Sequence, residues 1–222
     1  MNLFKSLKKT QIGYTFTNDT KMRGITKPPE LINSPNFGCP SISSTNNRIL
    51  AIYPKLSAKF TININEHAHF DYVINKKHHK STQVMHDLLL DSVILDQVND
   101  KYHFQLVGDI CIVTDDKDLE LLTVIGPNTQ TKNCTFINGA FYPYAWLRPL
   151  NSAWQVENGS EIIFDRNIPY MYLIFNKPIE INYVENENIK NYLKETYDIV
   201  NYGLNIKELF KNTISRRPKK LL

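Results

Sequence analysis

Cysteine is scarce in this chain. Its three copies, Cys39, Cys111 and Cys134, lie far apart with no C-x-x-C pair. An odd, dispersed set supports neither a disulfide framework nor a Cys-rich zinc site, and it makes a reducing compartment the expectation. Long apolar runs are also missing: no window approaches the ~20 apolar residues needed to cross a bilayer. The opening stretch MNLFKSLKKT lacks the apolar core of a signal peptide. A soluble, cytoplasmic protein with no membrane partner is expected, and the sequons at Asn133 and Asn158 then carry no weight. There is no G-x-S-x-G, P-loop or G-x-G-x-x-G, which leaves elbow-type serine hydrolases and the common nucleotide folds without support. Excess charge of one sign is absent too. The formal net charge is only +4, with Lys and Arg spread among carboxylates, so nucleic acid is not an expected partner.

What is present is a strand-rich pattern. Hydrophobic residues make up 42% of the 222, enough for a sizeable core in one large domain. From Arg48 onward, short runs rich in Ile, Val, Tyr, Phe and Thr alternate with turn residues, as in RILAIYP, KFTININEHAHFDYVI, KYHFQLVGDICIVTD, LELLTVIG, SEIIFD, YMYLIF and IEINYVE. The segment STQVMHDLLLDSVILDQV fits a helical stripe or a strand, with a lean to helix at its start. After Glu185 the period lengthens: Ile189, Leu193, Thr196 and Val200 share one helix face, and Ile206, Leu209 and Phe210 share a second. The strands do not alternate with helices and no internal repeat is visible, so antiparallel pairing follows. The expected fold is mainly β: an antiparallel β-sandwich, jelly-roll or cupin-like. It divides into an irregular N-terminal arm (1–47), the sandwich (48–185), a C-terminal helical segment (186–215) and a basic tail (216–222).

Four of the six histidines fall in NEHAHFDYVINKKHH, residues 65–79. Successive strand side chains point to opposite sides. Alternation then places Phe60, Ile62, Ile64, Phe70, Tyr72 and Ile74 on one face, and His67, His69 and Asp71 on the other, toward water. A cupin metal ligand must point inward among the apolar side chains, so a solvated face is the expectation and no cofactor is assigned. The alternative is a non-haem Fe(II) oxygenase, in which His69 and Asp71 have the spacing of a facial triad completed by His103 or His86. His78 and His79, among lysines, read as a charged hairpin tip.

Other chemistry-bearing residues are weaker candidates. Cys39 lies between turn residues with no histidine fixed nearby. Asp115, Asp116, Asp118 and Glu120 read as the acidic tip of a hairpin, and adjacency cannot place two carboxylates across a cleft. Arg216, Arg217, Lys219 and Lys220 have no interleaved aromatics, so a solvated tail is the simpler reading. The richest surface candidate is FYPYAWLRPLNSAW, residues 141–154. Aromatic and Arg side chains dominate recognition patches, so Tyr144, Arg148 and Trp154 are the expected ligand-binding residues, with Trp146 in the core.

These segments carry a resemblance. CPS at Cys39–Ser41, ILAIYP at Ile49–Pro54, GPN at Gly126–Asn128, FINGAFYPYAWLRPLN and IPYMYLIF at Ile168–Phe175 occur in the order seen in a family of T4-like marine phage proteins of the cyanophage type. The likeness spans about residues 30 to 184, and this chain lacks the Trp-rich segment those proteins often carry near the start. It implies a phage accessory protein acting in the host cytoplasm and brings no catalytic residues. Two classes of function follow: a non-enzymatic β-sandwich that binds a protein or small ligand, and the oxygenase alternative.

Overall fold

The computed structural model describes residues 9–16, 27–32, 47–64, 67–74, 93–145, 147–185 and 187–193. Cys39, His78, His79, His86, Trp146, the second helical face and the basic tail lie outside them. The described residues form thirteen strands. These are β1 (Thr10–Phe16), β2 (Glu30–Ile32), β3 (Ile49–Ile52), β4 (Ala58–Ile64), β5 (Ala68–Ile74), β6 (Val93–Val98) and β7 (Lys101–Val113). They continue with β8 (Leu121–Ile125), β9 (Gln130–Phe136), β10 (Ala140–Phe141), β11 (Pro149–Phe164), β12 (Met171–Phe175) and β13 (Ile179–Tyr183). Residues 187–193 form a helix, α1.

Two sheets result. The larger follows the order β13-β1-β7-β11-β4-β5, with β6 also on β7 and β9 also on β11; the smaller runs β10-β8-β12-β3-β2. Pairing is antiparallel, as expected, except between β1 and β13, which are parallel. The long β11 organises the larger sheet. Its residues 154–156 pair with both β7 and β9, and its residues 161–163 with both β4 and β9. β7 and β4 therefore lie one after the other along the same edge of β11.

One core is shared by the two sheets. Phe60, Phe104, Trp154 and Ile162 enter it from the larger sheet, and Leu50, Leu121, Leu173 and Phe175 from the smaller. Strict alternation produces this, as in β12, where Met171, Leu173 and Phe175 are buried and Tyr172 and Ile174 are half-buried. The arrangement is thus mainly β and sandwich-like. A second cluster lies on the other face of β7, where Cys111 and Val113 meet Leu147 and the α1 residues Ile189, Tyr192 and Leu193. Ile189 and Leu193 share a buried helix face, as their spacing predicts.

Several elements differ from expectation. The N-terminal region is not simply irregular, since Thr10–Phe16 pairs with β7 and Glu30–Ile32 with β3. The 59–74 stretch is not one strand but the β4–β5 hairpin, closed at Ile64 and Ala68. Val93–Val98 is a strand, and the predicted helical start before it lies outside the described residues. The SEIIFD strand is the end of a much longer one, β11. No helix among the described residues is long and apolar enough to cross a membrane.

Candidate functional site

The β4–β5 hairpin keeps the face assignment of the histidines. Phe60 pairs with Tyr72 and Ile62 with Phe70, so both strands direct even-numbered residues inward. His67, His69 and Asp71 are exposed. Asn63 Nδ2 donates to Asp71 Oδ2 at 2.7 Å, and His69 Nδ1 lies 3.0 Å from the His67 carbonyl oxygen. His103 is half-buried on β7, opposite Asp96 and Gln155. Among the described residues no three His, Cys, Asp or Glu side chains converge to hold a metal ion, so His69, Asp71 and His103 are not brought together.

The aromatic segment 141–154 is divided between two strands and a turn. Only Ala140–Phe141 is β10; residues 143–145 are a turn, and β11 begins at Pro149. Two prolines explain the break, because each removes a ladder donor and fixes its own φ. Tyr144 is half-buried in the turn, with Lys117 Nζ 5.6 Å from its ring centroid. Arg148 is half-buried, and burial holds its pKa below the ordinary value, with Tyr192 acting in the opposite sense. Trp154 is the clear correction. Expected beside a ligand at the surface, it is fully buried on the inner face of β11, ringed by Phe104, Phe136 and Phe164 at centroid distances of 6.0, 5.3 and 5.6 Å.

A different site emerges from an irregularity in β7. Cys111 pairs with Pro149 and Val107 with Asn151, so Gly108, Asp109 and Ile110 stand opposite the single residue Leu150. The surplus residues make a bulge, and a bulge re-aims side chains. Gly108 is needed there because a Cβ would collide with the Leu150 carbonyl oxygen. Asp109 is 4% exposed and lines a cavity of about 30 Å³ between the sheets. Lys55, from the link between β3 and β4, meets it with Nζ 2.5 Å from Oδ1.

The rest of this cavity is built to hold that pair. Leu56, Phe60, Leu106, Ile110, Leu150 and Phe164 supply an apolar wall. Tyr170, 3% exposed, adds a hydroxyl that is hydrogen-bonded to Ser152. Burial pushes the Tyr170 phenol far above its ordinary range; Ser152 opposes this and the Asp109 charge reinforces it. The link carrying Lys55 is tied down at both ends. The Arg166 backbone N–H donates to Ser57 Oγ at 3.0 Å. Tyr53 O–H donates to Glu30 Oε2 at 2.5 Å, and Lys27 Nζ sits 2.9 Å from Glu30 Oε1 and 3.5 Å above the Tyr53 ring. Glu30 is accordingly held below the usual carboxylate range, first by the Tyr53 hydrogen bond and then by Lys27.

Chemically, this is an apolar chamber with one polar wall, the usual composition of a small-molecule site. Sequence reasoning missed Lys55, Asp109 and Tyr170. The available signal was Gly108-Asp109 inside an otherwise apolar strand, since an isolated glycine in a strand pattern marks a bulge or a close approach. No protein-family model, curated protein or solved structure matches this chain.

Proposed function

We propose that the protein is a non-enzymatic β-sandwich that binds a small molecule in the cavity between its sheets, as a phage-type accessory protein. The observation that carries this reading is the Lys55–Asp109 ion pair set into an otherwise apolar cavity wall by the β7 bulge. Burying a charged pair costs more than burying well-packed apolar groups of the same volume, so stability alone gives no reason to keep it. A jelly-roll or cupin-like wiring is the finer form of the fold proposal, and the largely antiparallel pairing around one core supports it. The expected ligand-binding role moves from Trp154, which is core, to the cavity.

The test is an NMR shift titration of the full chain with small alcohols, beside the cavity-filling variant Ala58→Leu. Ala58 is buried and lines the chamber. Saturable shifts confined to cavity residues, and lost in the variant, are expected. Absence of saturable shifts in the unmodified protein would remove the proposal.

A further inference from the structure

The polar wall of the cavity carries one charge of each sign. Lys55 and Asp109 both line the chamber, and their side chains are 12% and 3% exposed, so the ion pair runs from the rim inward. Charges interact several-fold more strongly in such surroundings than in water. An anionic head reaching Lys55 meets the Asp109 carboxylate beside it. It must also draw the ammonium away from a carboxylate that is nearly sealed from solvent, and loosening a buried ion pair is heavily penalised. A cationic head has the mirror problem with Lys55. A neutral hydroxyl escapes both, because one group can donate to the Asp109 carboxylate or accept from Lys55 or Tyr170 while the pair stays closed.

Size narrows the class further. A single water needs about 10–15 Å³ of such space, so a cavity of about 30 Å³ holds a short molecule and no extended chain. Leu106, Ile110 and Phe164 around it favour an apolar body. We infer that the cavity is specific for short, neutral, hydroxyl-bearing molecules with an apolar body, and that the Lys55–Asp109 pair acts as the filter that rejects their carboxylate and ammonium counterparts. This inference rests on the ligand-binding reading above.

The experiment compares ethanol, acetate and ethylammonium, matched in chain length, by NMR shift titration of the full chain at neutral pH. Saturable shifts of the Leu106 and Ile110 methyl signals are expected with ethanol, and affinities at least tenfold weaker for both charged molecules. The filter is then unbalanced in each direction. Lys55→Gln should admit ethylammonium at least as well as ethanol, and Asp109→Asn should do the same for acetate. Should Asp109→Asn fail to fold, Lys55→Gln carries the reversal alone, because its side chain reaches the surface. All three molecules binding the unmodified protein within threefold of one another would overturn the filter while leaving the ligand cavity standing, as would unchanged selectivity in Lys55→Gln. No saturable binding of any of them would overturn the cavity reading itself, and the filter with it.

Discussion

Gly108 faces the carbonyl oxygen of Leu150 so closely that a methyl group on its Cα would collide with that oxygen. The obstacle is backbone and not a side chain, so no rotamer change relieves it. One of the two strands must shift, and the bulge that aims Asp109 at Lys55 shifts with it. Gly108→Ala is therefore expected to destabilise the fold by about 1–3 kcal/mol, the usual range for forcing atoms into a packed interior. Urea denaturation followed by circular dichroism measures it. A loss below about 0.5 kcal/mol would mean that the two strands can separate freely.

Among the described residues Trp154 is the largest side chain sealed in the core, and rings from β7, β9 and the far end of its own strand β11 pack against it. Truncation leaves a cavity that these rings cannot close. Trp154→Ala should cost about 3–5 kcal/mol, while Trp154→Phe, which retains a ring, should cost less. Tyr142, half exposed at 50%, is the comparison: its replacement by Ala should stay within about 0.5 kcal/mol. Equal costs at the two positions would contradict the core placement.

His67 and His69 stand on the solvent face of the hairpin, where no core contact is lost with them. The double replacement His67→Ala and His69→Ala should change stability by no more than about 0.5 kcal/mol in the same denaturation experiment. A larger loss would place the pair in a structural role that the exposed face does not account for.

How much of this was legible in the sequence depends on the distance over which each feature is decided. The wet face of His69 and Asp71 follows from alternation, a local rule. It survives even though one predicted strand is a hairpin, because Ile64↔Ala68 pairing preserves the parity of every residue. The shared helix face of Ile189 and Leu193 is equally local. Trp154 was misplaced because FYPYAWLRPLNSAW reads as an aromatic recognition patch, whereas the residue belongs to the inner face of a strand that runs from Pro149 to Phe164. In the structure Gly159 adopts a positive φ of 76° within β11, so the strand continues through the turn-like dipeptide Asn158-Gly159. Asp109 was the least legible. Its burial depends on a register difference between β7 and β11, strands about 40 residues apart, and on a lysine from a third segment. No window of sequence contains that relationship.

Tyr170 gives the pH prediction. Its hydroxyl is buried, and burial first, with the Asp109 charge adding and Ser152 opposing, raises its pKa far above the ordinary value of 10.0. Below about pH 10 the phenol is protonated in both the folded and unfolded chain, so it adds no pH dependence. Above that, the unfolded chain releases this proton and the folded chain keeps it. The unfolded state gains, and stability falls as pH rises. One such group contributes a slope of up to about 1.4 kcal/mol per pH unit. Tyr170→Phe forfeits the Ser152 hydrogen bond, costing about 1 kcal/mol at neutral pH, but it also removes this slope. Urea midpoints of the two proteins should therefore draw together above pH 10, meet within about one pH unit and then cross, leaving Tyr170→Phe the more stable by about pH 12, provided that the other tyrosines titrate alike in both. Curves that stay parallel over that interval would show that Tyr170 ionises as readily in the fold as outside it, which its sealed position in the cavity wall forbids.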